Sequence, residues 1–137
     1  MNCELIFYLA GKTNLCEKSL SKSLDNSNLN FQTALYATDS TALGNLIIEA
    51  FEKTNVVFLI GGLGTKDKIG MENVLSKALA NKSPDDLKKL KNPLSGCDGY
   101  LIRQGGQLLV ALPDNPVQIE AFFKGPLKGY LEQFSGV

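Results

Sequence analysis

The architecture of this chain turns on Val56-Val57-Phe58-Leu59-Ile60-Gly61-Gly62-Leu63-Gly64. Five apolar residues without a polar break suit a strand buried on both faces, the habit of parallel sheets. The glycines end it abruptly. Upstream, Leu5-Ile6-Phe7-Tyr8-Leu9 is a second such run, closed by Ala10-Gly11, and Phe31 to Ala37 reads as another strand. Between that strand and Val56 lies the clearest helix signal. Leu43, Leu46, Ile47, Ala50 and Phe51 recur at i, i+3, i+4, i+7 and i+8 behind the cap chemistry of Thr38-Asp39-Ser40. Leu15, Leu20 and Leu24 predict an earlier helix, capped by Thr13-Asn14 and ended by Asp25-Asn26-Ser27-Asn28.

Downstream of the glycines, Met71, Val74, Leu75, Ala78 and Leu79 repeat the helical spacing. Ser83-Pro84-Asp85-Asp86 reads as the start of a short helix, with the lysines of Asp86 to Lys91 on a solvated face. Tyr100-Leu101-Ile102 and Leu108 to Leu112 flank Gly105-Gly106 as a β-hairpin. Pro113-Asp114-Asn115-Pro116 makes a turn, with Asn115 as N-cap and Pro116 opening a helix that carries Ile119, Phe122 and Phe123. Gly125-Pro126 should break it, and Leu127, Tyr130, Leu131 and Phe134 continue a helical face. This alternation predicts one α/β domain over residues 1–137. It is a three-layer α/β/α sandwich whose mostly parallel sheet has one antiparallel strand from the C-terminal hairpin.

The 137 residues are 44% apolar and 20% charged, the balance of an ordinary globular domain. Formal net charge is zero, which argues against a nucleic-acid partner or a membrane surface. There is no histidine, so histidine-dependent triads and most zinc sites are excluded. Cys3, Cys16 and Cys97 are odd in number and lack CxxC spacing, as expected of free thiols in a reducing cytosol. Met1-Asn2-Cys3-Glu4 has no basic start, and no run of 18 apolar residues occurs. A cytoplasmic location is the expectation.

In an open parallel sheet, ligands bind beyond the carboxyl ends of the strands. The loops expected there are Gly11 to Asn14, Thr38 to Ser40, Gly61 to Gly70 and Pro113 to Asn115. They carry the candidate ligand-binding residues Thr13, Asn14, Asp39, Ser40, Gly61, Gly62, Gly64, Thr65, Asp67, Asp114 and Asn115. Glycines between a strand and a helix let backbone amides approach a phosphate or carboxylate. The pattern is neither GxxxxGK[ST] nor GxGxxG. Asp39 reads equally as a helix cap or as a carboxylate for a metal or polar ligand, and Asp67 as a solvated loop charge or a metal partner. Phe122 and Phe123 read as core or subunit interface.

These motifs resemble molybdopterin-binding (MoCF-type) domains, and within them the N-terminal domain of the competence/damage-inducible CinA-like proteins. Val56 to Gly64 with Thr65-Lys66-Asp67 is similar to that family's GGLGPTKDD loop. Asn92-Pro93-Leu94-Ser95-Gly96 through Leu112-Pro113-Asp114-Asn115-Pro116 is similar to its second signature, which ends in an LPG-x-P turn. Thr13-Asn14 and Asp39 fall where the family has comparable pairs. The departures are local to the site: the loop after the first strand is short, Lys68 and Gly70 replace an aspartate and a threonine, and Asp114 stands in place of the LPG glycine.

The resemblance implies a phosphorylated pterin, molybdopterin among them, or a nucleotide as ligand. It also implies a homo-oligomer, dimer or trimer. For the CinA-like branch it implies Mg²⁺-dependent hydrolysis of nucleotide pyrophosphates such as ADP-ribose, with Asp39 and Asp67 as metal ligands. Many relatives also carry an amidase domain; the resemblance does not extend to it, and no amidase activity is expected. Three readings stand: a binding domain without chemistry, the metal-dependent hydrolase, and a divergent remnant acting through self-assembly or a protein partner.

Overall fold

The computed structural model describes residues 2–25, 29–31, 34–61, 86–94, 98–104, 106–125, 127 and 130. Six strands are β1 (Glu4–Tyr8), β2 (Ala34–Ala37), β3 (Val56–Ile60), β4 (Asp86–Leu90), β5 (Gly99–Gln104) and β6 (Gln107–Leu112). Among the described residues the helices are α1 (Thr13–Leu24), α2 (Ser40–Lys53) and α3 (Pro116–Lys124). The strands form one sheet in the order β2-β1-β3-β6-β5-β4. Pairing is parallel from β2 to β6 and antiparallel at β6–β5 and β5–β4. Strand β5 alone therefore runs against the other strands of this sheet, as the hairpin reading expects.

The continuous apolar runs become central strands because both faces are covered. Alternate side chains enter opposite cores. Leu5, Phe7, Val56, Phe58, Ile60, Val110 and Leu112 pack with Cys16, Leu20, Ile119 and Phe122 of α1 and α3. Ile6, Tyr8, Val57, Leu59, Leu109 and Ala111 pack with Leu43, Ile47 and Ala50 of α2. These are the three layers. Helices α1 and α2 fall on opposite faces because β1 lies between β2 and β3. The chain steps one way to β2 and the other way to β3, and right-handed crossovers then place the two helices on opposite sides.

Several expectations need correction. Asp86–Leu90 is an edge strand paired with Gly99–Arg103, not a helix. Pairing with β5 outweighs a local helix-start pattern. In α1 the buried face is Cys16, Ser19, Leu20 and Leu24, while Leu15 is exposed. Thr13 and Asn14 do not cap α1. They are its first two residues, behind an N-cap Lys12 with left-handed φ 52 and no side-chain cap bond. Phe122 is fully buried and Phe123 lies against Phe58 at 5.8 Å between ring centroids, so both pack with the core. The helix expected over Met71 to Leu79 lies outside the described residues. No helix among the described residues is long and apolar enough to cross a membrane.

Candidate functional site

The strands finish level with one another. Tyr8 pairs with Ala37, Phe7 with Ile60, and Ile60 with Leu112. The turns that follow, Leu9–Lys12, Thr38–Asp39, Gly61 and Pro113–Asn115, therefore leave one rim of the sheet. Strand order reverses between β1 and β3, the switch point beside which open parallel sheets bind ligands.

The rim is closely built. Gly61 N–H donates to Leu112 O at 3.0 Å. Its φ of 102 is open to glycine but strained for other residues. A Cβ at Gly61 would collide with Tyr8 O and lie 2.8 Å from Ala10 Cβ. The short β1–α1 turn therefore folds directly onto the end of β3. Its brevity has a cost: Leu9 and Lys12 adopt φ values of 48 and 52, a conformation that disfavours residues with a Cβ.

Asp114 closes the arrangement. Gly11 N–H donates to Asp114 Oδ2 at 2.8 Å, joining positions 103 residues apart in sequence. Because β3 lies between β1 and β6, this bond bridges the end of β3. Beside it, Asn115 Oδ1 accepts from Val117 N and Gln118 N at 3.1 Å, and Pro116 opens α3 as expected. Ser19 Oγ donates to Pro116 O at 2.7 Å, tying α1 to the start of α3.

Asp39 resolves as a cap. Its Oδ1 accepts from Ala42 N at 2.8 Å at the start of α2. Substituting Asp39→Ala should lower unfolding free energy by about 1 kcal/mol, the usual loss of such a cap. Urea unfolding checks this, and an unchanged midpoint would refute it. Ser40 opens α2 beside it. Gly62, Gly64, Thr65 and Asp67 lie outside the described residues.

Asp39 and Asp114 follow β2 and β6, three strand positions apart or roughly 14 Å at the usual spacing. Among the described residues no cluster of three metal-ligating side chains forms. Of the two carboxylates read as metal ligands, Asp39 caps α2 and Asp67 lies outside the described residues.

Sequence reasoning missed the bond at Gly11 and the hydrogen bonds of Asn92 within a stretch it had already singled out. The Gly11 amide carries no side-chain signal, and its partner is remote. The loop after β4 leaves from the same rim, and it is held by buried Asn92. Asn92 N–H donates to Asp98 Oδ1 at 2.9 Å, its Nδ2 donates to Gln118 Oε1 at 2.8 Å, and its Oδ1 accepts from Leu94 N at 2.9 Å. The Asn92-Pro93 dipeptide was the available turn signal. A cavity of about 250 Å³ lined by Ser21, Leu24, Asp25, Leu29, Asn30 and Phe31 lies at the opposite end of the strands, where Asn30 bridges Asn2.

Among the described residues two thiols, Cys3 and Cys16, are buried. Burial first, and the Asp114 carboxylate second, push the Cys16 thiol up from 9.0 to about 11, against the pull of Lys12. Burial, then Glu4, raises Cys3 to about 12. The unfolded chain loses these protons first, so the stabilising contribution is complete below pH 9.0 and falls as pH rises through about 11 for Cys16. Urea unfolding across that window should show a steeper decline in wild type than in Cys16→Ala. Parallel declines would contradict the assignment.

The fold is that of the molybdopterin-biosynthesis and CinA group of α/β proteins. The protein CinA of unknown function from Thermoplasma acidophilum superposes with a TM-score of 0.71 at 17% identity, covering 95% of this chain and 97% of that one. The molybdopterin biosynthesis enzyme MoaB from Thermus thermophilus gives 0.68 at 13% identity, covering 99% and 97%. The tungsten cofactor synthesizing protein MoaB from Pyrococcus furiosus gives 0.61 at 16% identity, covering 97% and 92%. No protein-family profile and no curated protein sequence matches the chain.

Proposed function

We propose that this protein is a binding domain that captures a phosphorylated pterin, molybdopterin among them, or a nucleotide at the carboxyl ends of its parallel strands. The observation that carries the reading is the level rim, where the β1–α1 turn, Gly61 and the β6–α3 turn meet at the switch point. The likeness to solved proteins named for molybdopterin and tungsten-cofactor synthesis supports the ligand class. Their coverage supports taking residues 1–137 as one such domain. Thr13 and Asn14 in the first turn of α1, Ser40 opening α2, and Asn115 before α3 are the polar residues assigned to ligand contact. Gly62, Gly64, Thr65 and Asp67 join them on the sequence pattern alone. Asp39 contributes chiefly by fixing α2.

The reading assigns binding and no catalytic step. Nothing in the described donor set favours the metal-dependent hydrolase. A thermal-shift panel of pterins, pterin phosphates and nucleotides tests it. A specific ligand at a hundred times its Kd should stabilise the fold by about 2.7 kcal/mol. A flat response across the panel would overturn the reading.

A further inference from the structure

The cavity at the amino ends of the strands lies apart from the rim, and the proposed binding mode does not use it. Ser21, Leu24 and Asp25 come from the last turn of α1 and its C-cap, and Leu29, Asn30 and Phe31 from the segment that leads to β2. Its volume of about 250 Å³ is far above the roughly 15 Å³ that a single water needs, so it admits a small organic molecule. Leu24 and Leu29 are buried, Phe31 is half-buried against the core, and Ser21, Asp25 and Asn30 are exposed. An apolar base thus meets a polar mouth. One wall is fixed to the start of β1: Cys3 N–H donates to Asn30 O at 2.9 Å, and Asn2 bridges Asn30.

The charge on this wall has one sign. Asp25 is the sole charged residue between Ser23 and Ala34 in the sequence. It stands at the C-cap of α1, where the helix dipole opposes a carboxylate and favours a cation. Lys22, the basic residue of that last turn, pairs instead with Glu120 of α3 at 3.4 Å. Among the described residues no lysine or arginine forms an ion pair with Asp25. We infer that this cavity binds a small organic ammonium ion. The charged head sits by Asp25 and the carbonyl end of α1, and the apolar body rests on Leu24, Leu29 and the ring of Phe31. An ammonium close to an aromatic face gains further attraction. Ser21 and Asn30 offer side-chain oxygens to its remaining N–H groups. An anion would meet a carboxylate and a helix end of like sign, so a phosphorylated ligand of the rim does not fit here.

Amide chemical-shift titration with benzylammonium chloride tests this, with benzyl alcohol as the neutral match and benzoate as the anionic one. Benzylammonium should give saturable shifts at Ser21, Leu24, Asp25 and Leu29 to Phe31. The alcohol and benzoate should bind at least roughly tenfold more weakly, the scale of one charge-assisted hydrogen bond. Asp25→Asn keeps the size of an exposed side chain and should weaken benzylammonium by a similar factor without lowering the urea midpoint. Glu49→Gln, which removes an exposed carboxylate from α2, should leave the affinity unchanged. If Asp25→Asn fails to fold, the alcohol comparison on wild type decides alone. Benzylammonium without saturable shifts at these amides, an alcohol that binds as tightly, an Asp25→Asn protein that binds as well as wild type, or an equal loss in Glu49→Gln would each overturn the proposal. The pterin and nucleotide panel is independent of it: a flat panel leaves this site standing, and a silent cavity leaves the rim reading standing.

Discussion

Gly61→Ala should lower unfolding free energy by about 3 kcal/mol or more, and Gly61→Val should abolish accumulation of folded protein. Two effects add. The φ of 102 is strained for any residue with a Cβ, at a cost of about 1–3 kcal/mol. The new Cβ would also collide with Tyr8 O, a backbone atom fixed by the sheet, and lie 2.8 Å from Ala10 Cβ. Neither neighbour is the far end of a flexible side chain, so relief requires β1 or its turn to move. Total stabilities of about 5–15 kcal/mol leave little room for such a loss. Gly106→Ala is the matched control, because a Cβ there meets nothing within 4 Å. It should change stability by about 0.5 kcal/mol at most. Urea unfolding of both variants decides the matter. A Gly61→Ala protein as stable as Gly106→Ala would mean that the turn after β1 does not rest on the end of β3.

Phe58→Ala should cost about 3–5 kcal/mol. Phe58 is fully buried in the middle of β3, and its ring meets that of Phe123 at 5.8 Å. Truncation would remove the contact between the central strand and α3 and leave a cavity that a sheet bonded on both sides cannot collapse to fill. The same change at Val117, 63% exposed on α3, should stay within about 0.5 kcal/mol. Comparable losses at the two sites would contradict the buried position of β3.

The central sheet was legible because local pattern and tertiary environment agree there. Val56 to Ile60 reads as an unbroken apolar run, and the structure covers both of its faces. Leu43, Ile47 and Ala50 fall on one face of α2 and point to one core. Asn115 and Pro116 start α3 by chemistry that acts within three residues. What failed was non-local. Asp86 to Leu90 carries a convincing helix start just before it, yet pairing with β5 makes it a strand. Thr13 looks like a cap residue, but the short turn places the left-handed Lys12 at that position.

The candidate site divides along the same line. That four turns share a rim could be expected from strand order, because parallel strands deliver their carboxyl ends together. That Asp114 crosses the end of β3 to hold Gly11 could not. No periodicity or motif encodes a bond between an amide and a carboxylate 103 residues apart. The substitution of aspartate for the expected glycine raised the question of charge, and only geometry supplies the partner.

In the proposed binding mode the ligand meets the rim above β1 and β3. Amide chemical-shift mapping with a pterin phosphate tests this most directly. The largest changes should fall in Leu9–Thr13, Thr38–Asp39, Gly61 and Pro113–Asn115. Changes centred on Asn2, Asn30 and the cavity at the other end of the strands, or none at all, would contradict it.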